Sequence, residues 1–552
     1  MNERLKYSLL FALLAAVFFL LFNGNAHLFD WDEINFAEVS REMIVLKDYL
    51  RVHINYLPFW EKPPLFFWMQ AFAMNIFGIN EFAARLPNAI CGIITLVVLF
   101  NIGKTLYDTR FGLIWAGVYF GSVLPHLYFK SGIIDPYLNL FIFLGMYYFI
   151  KAHWKKNQFD LALFKSKWTY LFVAGIFIGL GLITKGPVAL AIAGLCMMIY
   201  WFFQRLRLYI NVPEFLFFLF IASLVTFAWL GVETWKNGPW FAEEFTRYQY
   251  RLFTTEDAGH KGFFGYHFVV LLVGCFPASI FAIRAFFKSP KASKAYQVDF
   301  KLWMSILFWV VLILFSIVQS KIVHYSSMCY YPLSFLAAVS IHQIFEREIR
   351  INGWMKAGLI FTGGLFILAT VALPFVAWNI EILKPLFNDP FAVASLDAEV
   401  NWSGVEMLPG LFLAGVLFFS LRALKRDQFA TGFKTLLLGS GCFVLLTLIF
   451  FINRIEGYSQ NAAIEFYKSK ATEDCYVVPH GFKSYGQLFY TQKPAVTNPD
   501  SYKWRWLMEG KIDKDVYVIT KIQYEERLKK QEPTLSKIGG KNGFVFFKRE
   551  KE

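Results

Sequence analysis

Hydrophobic residues in this chain fall into long runs separated by short polar breaks. A helix that crosses a bilayer needs about 20 mostly apolar residues. Runs near that length cover 5–22, 86–103, 111–129, 136–151, 169–184, 186–203, 213–231, 266–284, 302–319, 327–344, 355–376, 406–423 and 434–452. They predict thirteen crossings. MNERLKYSLLFALL at the amino end also fits a cleaved leader. Because further spans follow instead of a soluble domain, an uncleaved first span is the preferred reading. Between the first two runs the periodicity changes. Phe36, Val39, Met43 and Leu46 recur at helical steps, with Glu38, Arg41 and Glu42 opposite. That pattern predicts a helix on the membrane surface with a wet polar side. In LPFWEKPPLFFWMQAFAMNIFG, Glu61 and Lys62 precede two prolines that stop one helix and open the next.

After Phe451 the long runs end. YVVP, DVYVIT and GFVFFK read as short strands among helix-like segments. The remaining length suffices for a small α/β unit. The expected fold is an all-α polytopic membrane domain over 1–452 and an α/β extracytoplasmic domain over 453–552. The first extracytoplasmic loop, 23–85, carries juxtamembrane helices.

Composition narrows the class. Hydrophobic residues make up 57% and charged residues 17%, with mean hydropathy +0.45. A soluble protein carries about a quarter charged residues, so an ordinary soluble enzyme is excluded. The 54 Lys and Arg exceed the 40 Asp and Glu, and their clusters decide orientation. Lys155, Lys156, Lys165 and Lys167 form one cluster, Arg284, Lys288, Lys291, Lys294 and Lys301 a second, and Arg422, Lys425, Arg426 and Lys434 a third. With thirteen spans all three share one side, which the positive-inside rule makes cytoplasmic. No basic stripe interleaved with aromatics points to nucleic acid. The six cysteines include no CxxC and imply neither a disulfide framework nor a thiolate metal site.

The opposite side collects the candidate chemistry. FDWDEINFAEVSREM holds Asp30, Asp32, Glu33, Glu38 and Glu42. Asp135 lies in KSGIIDPYLN, Lys185 in GLITKGPVAL, His260 and Lys261 in GHKGFFGYHF, and Lys321, His324 and Tyr325 in SKIVHYSS. Each alone reads as a helix cap or a snorkelling anchor. Charges at a bilayer are costly and usually face one another or a cavity, so their gathering on one face argues for a shared site.

The same segments, WDEINFAEVSREM, FWEKPPLFFWMQAFAMNIFGINEFAARLPNAI, IIDPYLNLF, GLGLITKGPVAL and SKIVHYSSMCYYPLSFLAA, resemble the dolichyl-phosphate-mannose–protein mannosyltransferase superfamily. The branch they resemble is that of the bacterial aminoarabinose transferases (ArnT type). The resemblance implies a GT-C glycosyltransferase fold in the bacterial inner membrane, with the active site facing the periplasm. It implies a sugar, aminoarabinose or a related one, moved from undecaprenyl phosphate to lipid A or another extracytoplasmic acceptor. By position, Asp32 corresponds to the acid considered catalytic and Asp135 to a second loop acid; Glu33, beside Asp32, is a further catalytic candidate. Lys62 and Tyr325 correspond to groups on the carrier phosphate, with Lys185 and Lys261 as further cations there. Glu61 and His260 correspond to two ligands of a possible zinc ion. The third histidine ligand has no counterpart, since His342 falls at the other membrane face and His480 in the terminal unit. His324 stands where a threonine is usual.

The chemistry fits these residue types. Breaking the bond from the sugar C1 to the phosphate leaves negative charge on the carrier, and fixed cations stabilise it best where water is excluded. A hydroxyl acceptor needs a base, which a carboxylate supplies; a phosphate acceptor does not. An aminosugar brings an ammonium that acids attract. No second nucleophile is evident, so a single inverting displacement is expected. The rival enzyme reading is a protein O-mannosyltransferase or another polyprenyl-phosphate-sugar transferase. A lipid-linked sugar flippase is the rival from another class, disfavoured because the charges cluster at one face and no duplicated halves appear.

Overall fold

The computed structural model describes residues 2–254, 262–287 and 294–551. Helix α1 (Glu3–Leu20) leads into α2 (Asp32–Leu46), a two-stranded hairpin of β1 (His53–Ile54) and β2 (Leu57–Pro58), and α3 (Leu65–Phe77). These precede α4 (Glu81–Leu106), whose start at Glu81 ends the first loop a few residues before the expected 85. The bundle continues through α5 (Thr109–Phe120), α6 (Val123–Tyr128), α7 (Asp135–Lys156), α8 (Lys167–Lys185), α9 (Val188–Phe203) and α10 (Val212–Asn237). Then come α11 (Trp240–Thr254), α12 (Tyr266–Gly274), α13 (Ala278–Phe287) and α14 (Ala295–Ile317). A 3-10 turn, Val323–Cys329, runs into α15 (Tyr330–Phe345), followed by α16 (Gly353–Trp378). Two short helices, α17 (Ile380–Leu383) and α18 (Pro390–Ser395), precede α19 (Leu408–Lys425) and α20 (Phe429–Gly457).

Every one of the thirteen apolar runs is helical. Among the described residues, eight helices are long and apolar enough to cross a membrane, or nine if the pair α12 and α13, bent by 115°, is counted as one span. The other four runs are α1, α5 with α6, α7 and α9. The charges Glu3, Arg4 and Lys6 dilute α1, and Asp135, Asn139 and Lys151 dilute α7; α5 and α9 are short, at 12 and 16 residues. Helix α15 is the bundle's centre, with 89% of its apolar window buried. Helices α10 and α16 sit at the periphery, at 22% and 28%, and turn Phe220, Phe227, Phe361 and Leu368 outward, as lipid-facing helices do.

Alternating helix direction puts the right ends together. Helix α7 starts at Asp135 where α8 ends at Lys185, and α15 starts from the 3-10 turn on that same side. The far ends carry Lys155, Lys156, Lys167 and the Asp108–His342 and Arg110–Glu346 pairs. There a buried network fixes α7, α9 and α14. Trp154 Nε1 donates to Asp299 at 2.7 Å, and Tyr200 Oη donates to Asp299 at 2.5 Å.

Beyond α20, α21 (Asn461–Ser469), α22 (Gly486–Thr491), α23 (Trp504–Glu509) and α24 (Glu525–Gln531) surround a four-stranded sheet. Its strands are β3 (Cys475–His480), β4 (Asp515–Lys521), β5 (Ser536–Lys541) and β6 (Phe544–Arg549), in the order β3-β4-β6-β5. Strands β3 and β4 run parallel; β4 with β6 and β6 with β5 run antiparallel, Val518 facing Phe547. Strand β5, SKIGGK, is exposed, polar and glycine-bearing, so no apolar alternation announces it.

The sheet unit and the bundle share one hydrophobic cluster. Leu28, Ile34, Ala37, Met74, Ala83 and Ala84 pack with Ala463, Ile464, Tyr467, Phe489, Tyr490 and Phe546. This corrects the reading of α2 as a helix with a wet side. Glu38, Arg41 and Glu42 are 0–1% exposed, because the terminal unit covers them. Arg41 pairs with Glu38 through two 2.7 Å bonds and donates to the Lys493 carbonyl at 3.2 Å. Tyr56 donates to the same carbonyl at 2.5 Å.

Candidate functional site

Helix ends assemble the site. Asp32 and Asp135 are each the first residue of a helix, α2 and α7, where the positive end of the helix dipole favours an acid. Pro136 follows Asp135 at a position that suits proline. Lys185 is the last residue of α8, where the dipole favours a cation. Gly186 then turns the chain at φ +86, a conformation L side chains rarely adopt. A Cβ there would lie 2.3 Å from Cζ of Phe245, so the KG pair lets α11 pack against the end of α8.

Lys185 Nζ lies 2.7 Å from Asp135 Oδ1. His324 Nε2 lies 3.5 Å from Asp32 Oδ2 and 3.9 Å from Asp135 Oδ2. Asp32 is about a third exposed, whereas the Asp135 side chain is 4% exposed. The 3-10 turn sets His324 and Tyr325 side by side, their rings 5.2 Å apart. The Lys185 ammonium sits over the Tyr325 ring at 5.4 Å. Lys62, on the double-proline corner, donates to Tyr248 Oη at 3.2 Å, and its charge reaches Asp135 and His324. The bundle thus brings Asp32, Asp135, Lys185, His324, Tyr325 and Lys62 together from five separate segments.

Glu33 stands apart from them. Arg85 of α4 holds it through Nε at 3.1 Å and Nη2 at 2.8 Å, and the Phe29 and Gly132 amides donate to it as well. Burial pushes its carboxyl up, but the Arg85 charge and these bonds outweigh that and hold it below the usual carboxylate range. Both oxygens are engaged, and the residue is 6% exposed. Glu33 is a clamp rather than a group open to substrate: it fastens the start of α2, which carries Asp32, to the loop before Asp135. Arg85 extends the clamp to the Asn23, Ala26 and His27 carbonyls. Sequence reasoning missed Arg85, although an arginine inside an apolar segment, FAARLPNAI, is itself a signal. It also missed the bridging place of His324.

Other expected groups fall elsewhere. Lys321 Nζ donates to the Phe315 and Ser316 carbonyls at 3.2 and 2.7 Å and so caps the end of α14. His260 and Lys261 lie outside the described residues. Glu61 lies within electrostatic reach of Tyr485. Among the described residues no three His, Cys, Asp or Glu side chains converge to hold a metal ion. The expected zinc pair of Glu61 and His260 thus falls partly outside the described residues, and no step below runs through a metal.

The terminal unit roofs the site's edge. Trp31, next to Asp32, packs against Tyr485 at 5.5 Å and lies under Lys483 at 4.7 Å. Leu28 N donates to Tyr490 Oη at 2.7 Å.

Comparison with known proteins agrees with this geometry. The family described as dolichyl-phosphate-mannose-protein mannosyltransferase matches residues 61–230. The undecaprenyl phosphate-alpha-4-amino-4-deoxy-L-arabinose arabinosyl transferase of Pectobacterium atrosepticum is 25% identical over 454 residues, 77% of each chain. Its counterpart in Pectobacterium carotovorum is 25% identical over 457 residues, again 77% of each. The crystal structure of ArnT from Cupriavidus metallidurans bound to undecaprenyl phosphate superposes with TM-score 0.79 at 16% identity, covering 99% of this chain and 98% of that one. Over most of its length the chain is thus similar to ArnT-type transferases, and part of it matches the mannosyltransferase family. The likeness in fold runs through both the bundle and the terminal sheet.

Proposed function

We propose that this protein transfers aminoarabinose, or a related sugar, from undecaprenyl phosphate to lipid A or another extracytoplasmic acceptor, at the periplasmic face of the inner membrane. The observation that carries the reading is the convergence of Asp32, Asp135 and His324 beside the cations Lys185 and Lys62. Acids suit the sugar and acceptor side of the reaction, and cations suit the phosphate side. Asp32, about a third exposed, faces the incoming groups, and an aminosugar ammonium is drawn to it. Lys62 and the Tyr325 hydroxyl take the carrier phosphate. As the C1–O bond breaks, the electron pair leaves with that phosphate, where Lys62 offsets the growing charge. Lys185 neutralises Asp135 and keeps it ionised in place. The acceptor oxygen forms the new bond at C1 from the opposite face, with inversion.

A place for the lipid tail supports the same reading. An apolar cleft of about 910 Å³ runs between α9, α12, α13 and α14, past Phe203, Phe268, Phe286, Trp309 and Ile317. It reaches Ile317 at the end of α14, and on the same last turn Phe315 packs on Tyr325 at 5.5 Å. A polyprenyl chain lying in the cleft presents its phosphate there.

The deciding experiment reconstitutes purified protein with undecaprenyl-phosphate-linked aminoarabinose and offers lipid A or peptide acceptors, with products read by mass spectrometry. Sugar on lipid A supports the reading. Sugar on peptide moves the protein to the mannosyltransferase-like alternative, and donor left intact with every acceptor overturns it.

A further inference from the structure

The terminal unit meets the start of α2 through one loop, residues 481–485, between β3 and α22. The segment under that loop is held firmly. Gln460 Nε2 donates to the Leu28 carbonyl at 2.7 Å, the Asp30 amide donates to Gln460 Oε1 at 3.2 Å, and the Leu28 amide donates to Tyr490 Oη at 2.7 Å. These bonds fix the backbone on which Trp31 stands. Within the loop, Ser484 is buried; it bonds Asp30 and accepts from the Gly486 amide at 3.0 Å. Tyr485 packs on Trp31, and the Lys483 ammonium lies 4.7 Å from the centre of the Trp31 ring. Lys483 is exposed. Elsewhere in this unit Lys468, Lys470, Lys541 and Lys548 pair with acids. Among the described residues Lys483 pairs with none: Asp30 bonds Ser484, and Glu61 lies toward Tyr485. An aromatic face steadies an ammonium without using its three N–H donors. Lys62, the cation placed on the carrier phosphate, also lies over a ring, that of Tyr248, at 4.9 Å.

We propose that residues 481–485 are the docking point for the acceptor headgroup, and that Lys483 holds an anionic phosphate group on it. The proposal rests on the transfer reading above and assigns the acceptor side of that site. Asp32 and Trp31 are adjacent in the chain but serve different neighbours. Asp32 Oδ2 faces His324 in the bundle at 3.5 Å, whereas Trp31 faces the terminal unit. The groups placed on the leaving phosphate, Lys62 and Tyr325, belong to the bundle. An inverting displacement needs its acceptor on the side of C1 away from that phosphate, and the loop with Lys483 offers the other approach. The charges favour it too. The Asp32 carboxylate repels an anionic acceptor, and a cation held over the neighbouring ring offsets that repulsion. Three free N–H donors on a positioned ammonium suit the oxygens of a phosphate. A peptide acceptor without phosphate would leave this cation unused.

The test uses full-length protein in nanodiscs and reads both binding and transfer. The ligands are lipid A with its phosphates and lipid A stripped of them, with affinity measured by native mass spectrometry. K483M is expected to bind phosphorylated lipid A about tenfold or more weakly than wild type, as a charge-assisted contact is lost. Its affinity for the stripped lipid and for undecaprenyl phosphate should stay within about twofold of wild type. With undecaprenyl-phosphate-linked aminoarabinose as donor, K483M should raise the acceptor KM and leave kcat at saturating acceptor nearly unchanged. K483R, which keeps the charge, should restore the KM. Should K483M fail to fold, K483Q, with an uncharged amide in the same place, decides on the same readings. Equal affinity of K483M and wild type for phosphorylated lipid A overturns the docking role. An equal loss for both lipids, or a loss for undecaprenyl phosphate, overturns it as well, since Lys483 would then be a staple or a carrier contact. In each of these cases the transfer reading stands if wild type places sugar on lipid A. A wild type that consumes no donor with any acceptor, or modifies peptide alone, overturns that reading and the docking role with it.

Discussion

The Glu33–Arg85 clamp offers the sharpest check on how the site is held. Glu33→Ala removes two guanidinium bonds and strands the Phe29 and Gly132 amides. It also leaves Arg85, 5% exposed, as an uncompensated buried charge. Breaking a buried pair from one side costs about 3–5 kcal/mol. Arg85→Met leaves Glu33 unpaired and releases the Asn23, Ala26 and His27 carbonyls, so a cost of the same order, about 3–5 kcal/mol, is expected. The double variant loses the pair but keeps no orphan charge. Its cost should fall short of the sum of the singles by about 2–3 kcal/mol, the upper part of the range for directly paired residues. Apparent melting temperatures in detergent, at one scan rate, report the ranking. Function follows geometry: a shift of about 1 Å at Asp32 costs on the order of 10²-fold in kcat, so both single variants should slow transfer by similar factors. If Glu33 itself moved a proton, Glu33→Ala would be inactive and Arg85→Met nearly normal. That split, or additivity within about 0.5 kcal/mol, would refute the clamp.

Three further outcomes are expected. Asp32→Asn should abolish transfer while undecaprenyl phosphate binding, measured by native mass spectrometry, stays intact; wild-type turnover would remove Asp32 from the reaction. Lys62→Ala should weaken that binding about tenfold or more, as loss of a charged contact costs about 1.5–3 kcal/mol; equal affinity would mean that the phosphate sits elsewhere. Glu42, buried and next to Glu38, has its carboxyl raised well above the usual range by burial first and by Glu38 second. The folded state therefore holds a proton that the unfolded state releases above about pH 4.3, and Glu42's contribution to stability falls as pH rises from there to its folded pKa. Glu42→Gln escapes this loss. Its melting temperature should exceed wild type by a margin that grows with pH, and a margin independent of pH would contradict the assignment.

Much of this architecture was written in local pattern. Apolar runs locate helices because lipid leaves a backbone few alternatives to internal hydrogen bonding, and each of the thirteen is helical, two of them as broken pairs. The acids at Asp32 and Asp135 and the cation at Lys185 were visible as charges where spans end. Partnership was not visible. Lys185 read as a free cation for phosphate, yet its nearest acid, Asp135, lies 50 positions away and takes its charge. Glu33 looked like a neighbour of Asp32 in function, but successive helical positions face different ways, and its arginine lies 52 positions on. The polar side of α2 read as wet because the chain that covers it arrives more than 400 positions later. Strand β5 carried no periodicity, being an exposed edge. His324 was noticed as a departure from the resembled pattern, but its place between two acids depends on the packing of α2, α7 and the 3-10 turn.

The hydrophobic cluster that joins α2 and α4 to the terminal sheet has a consequence for biogenesis. Ile34 and Ala37 emerge early in translation, while Phe489, Tyr490 and Phe546, against which they pack, are made last. Until those late segments have been made and folded, the helix bearing Asp32 lacks its cover. Maturation of the catalytic face must therefore wait for the end of synthesis, so partly made chains in the membrane have little opportunity to spend lipid-linked sugar prematurely.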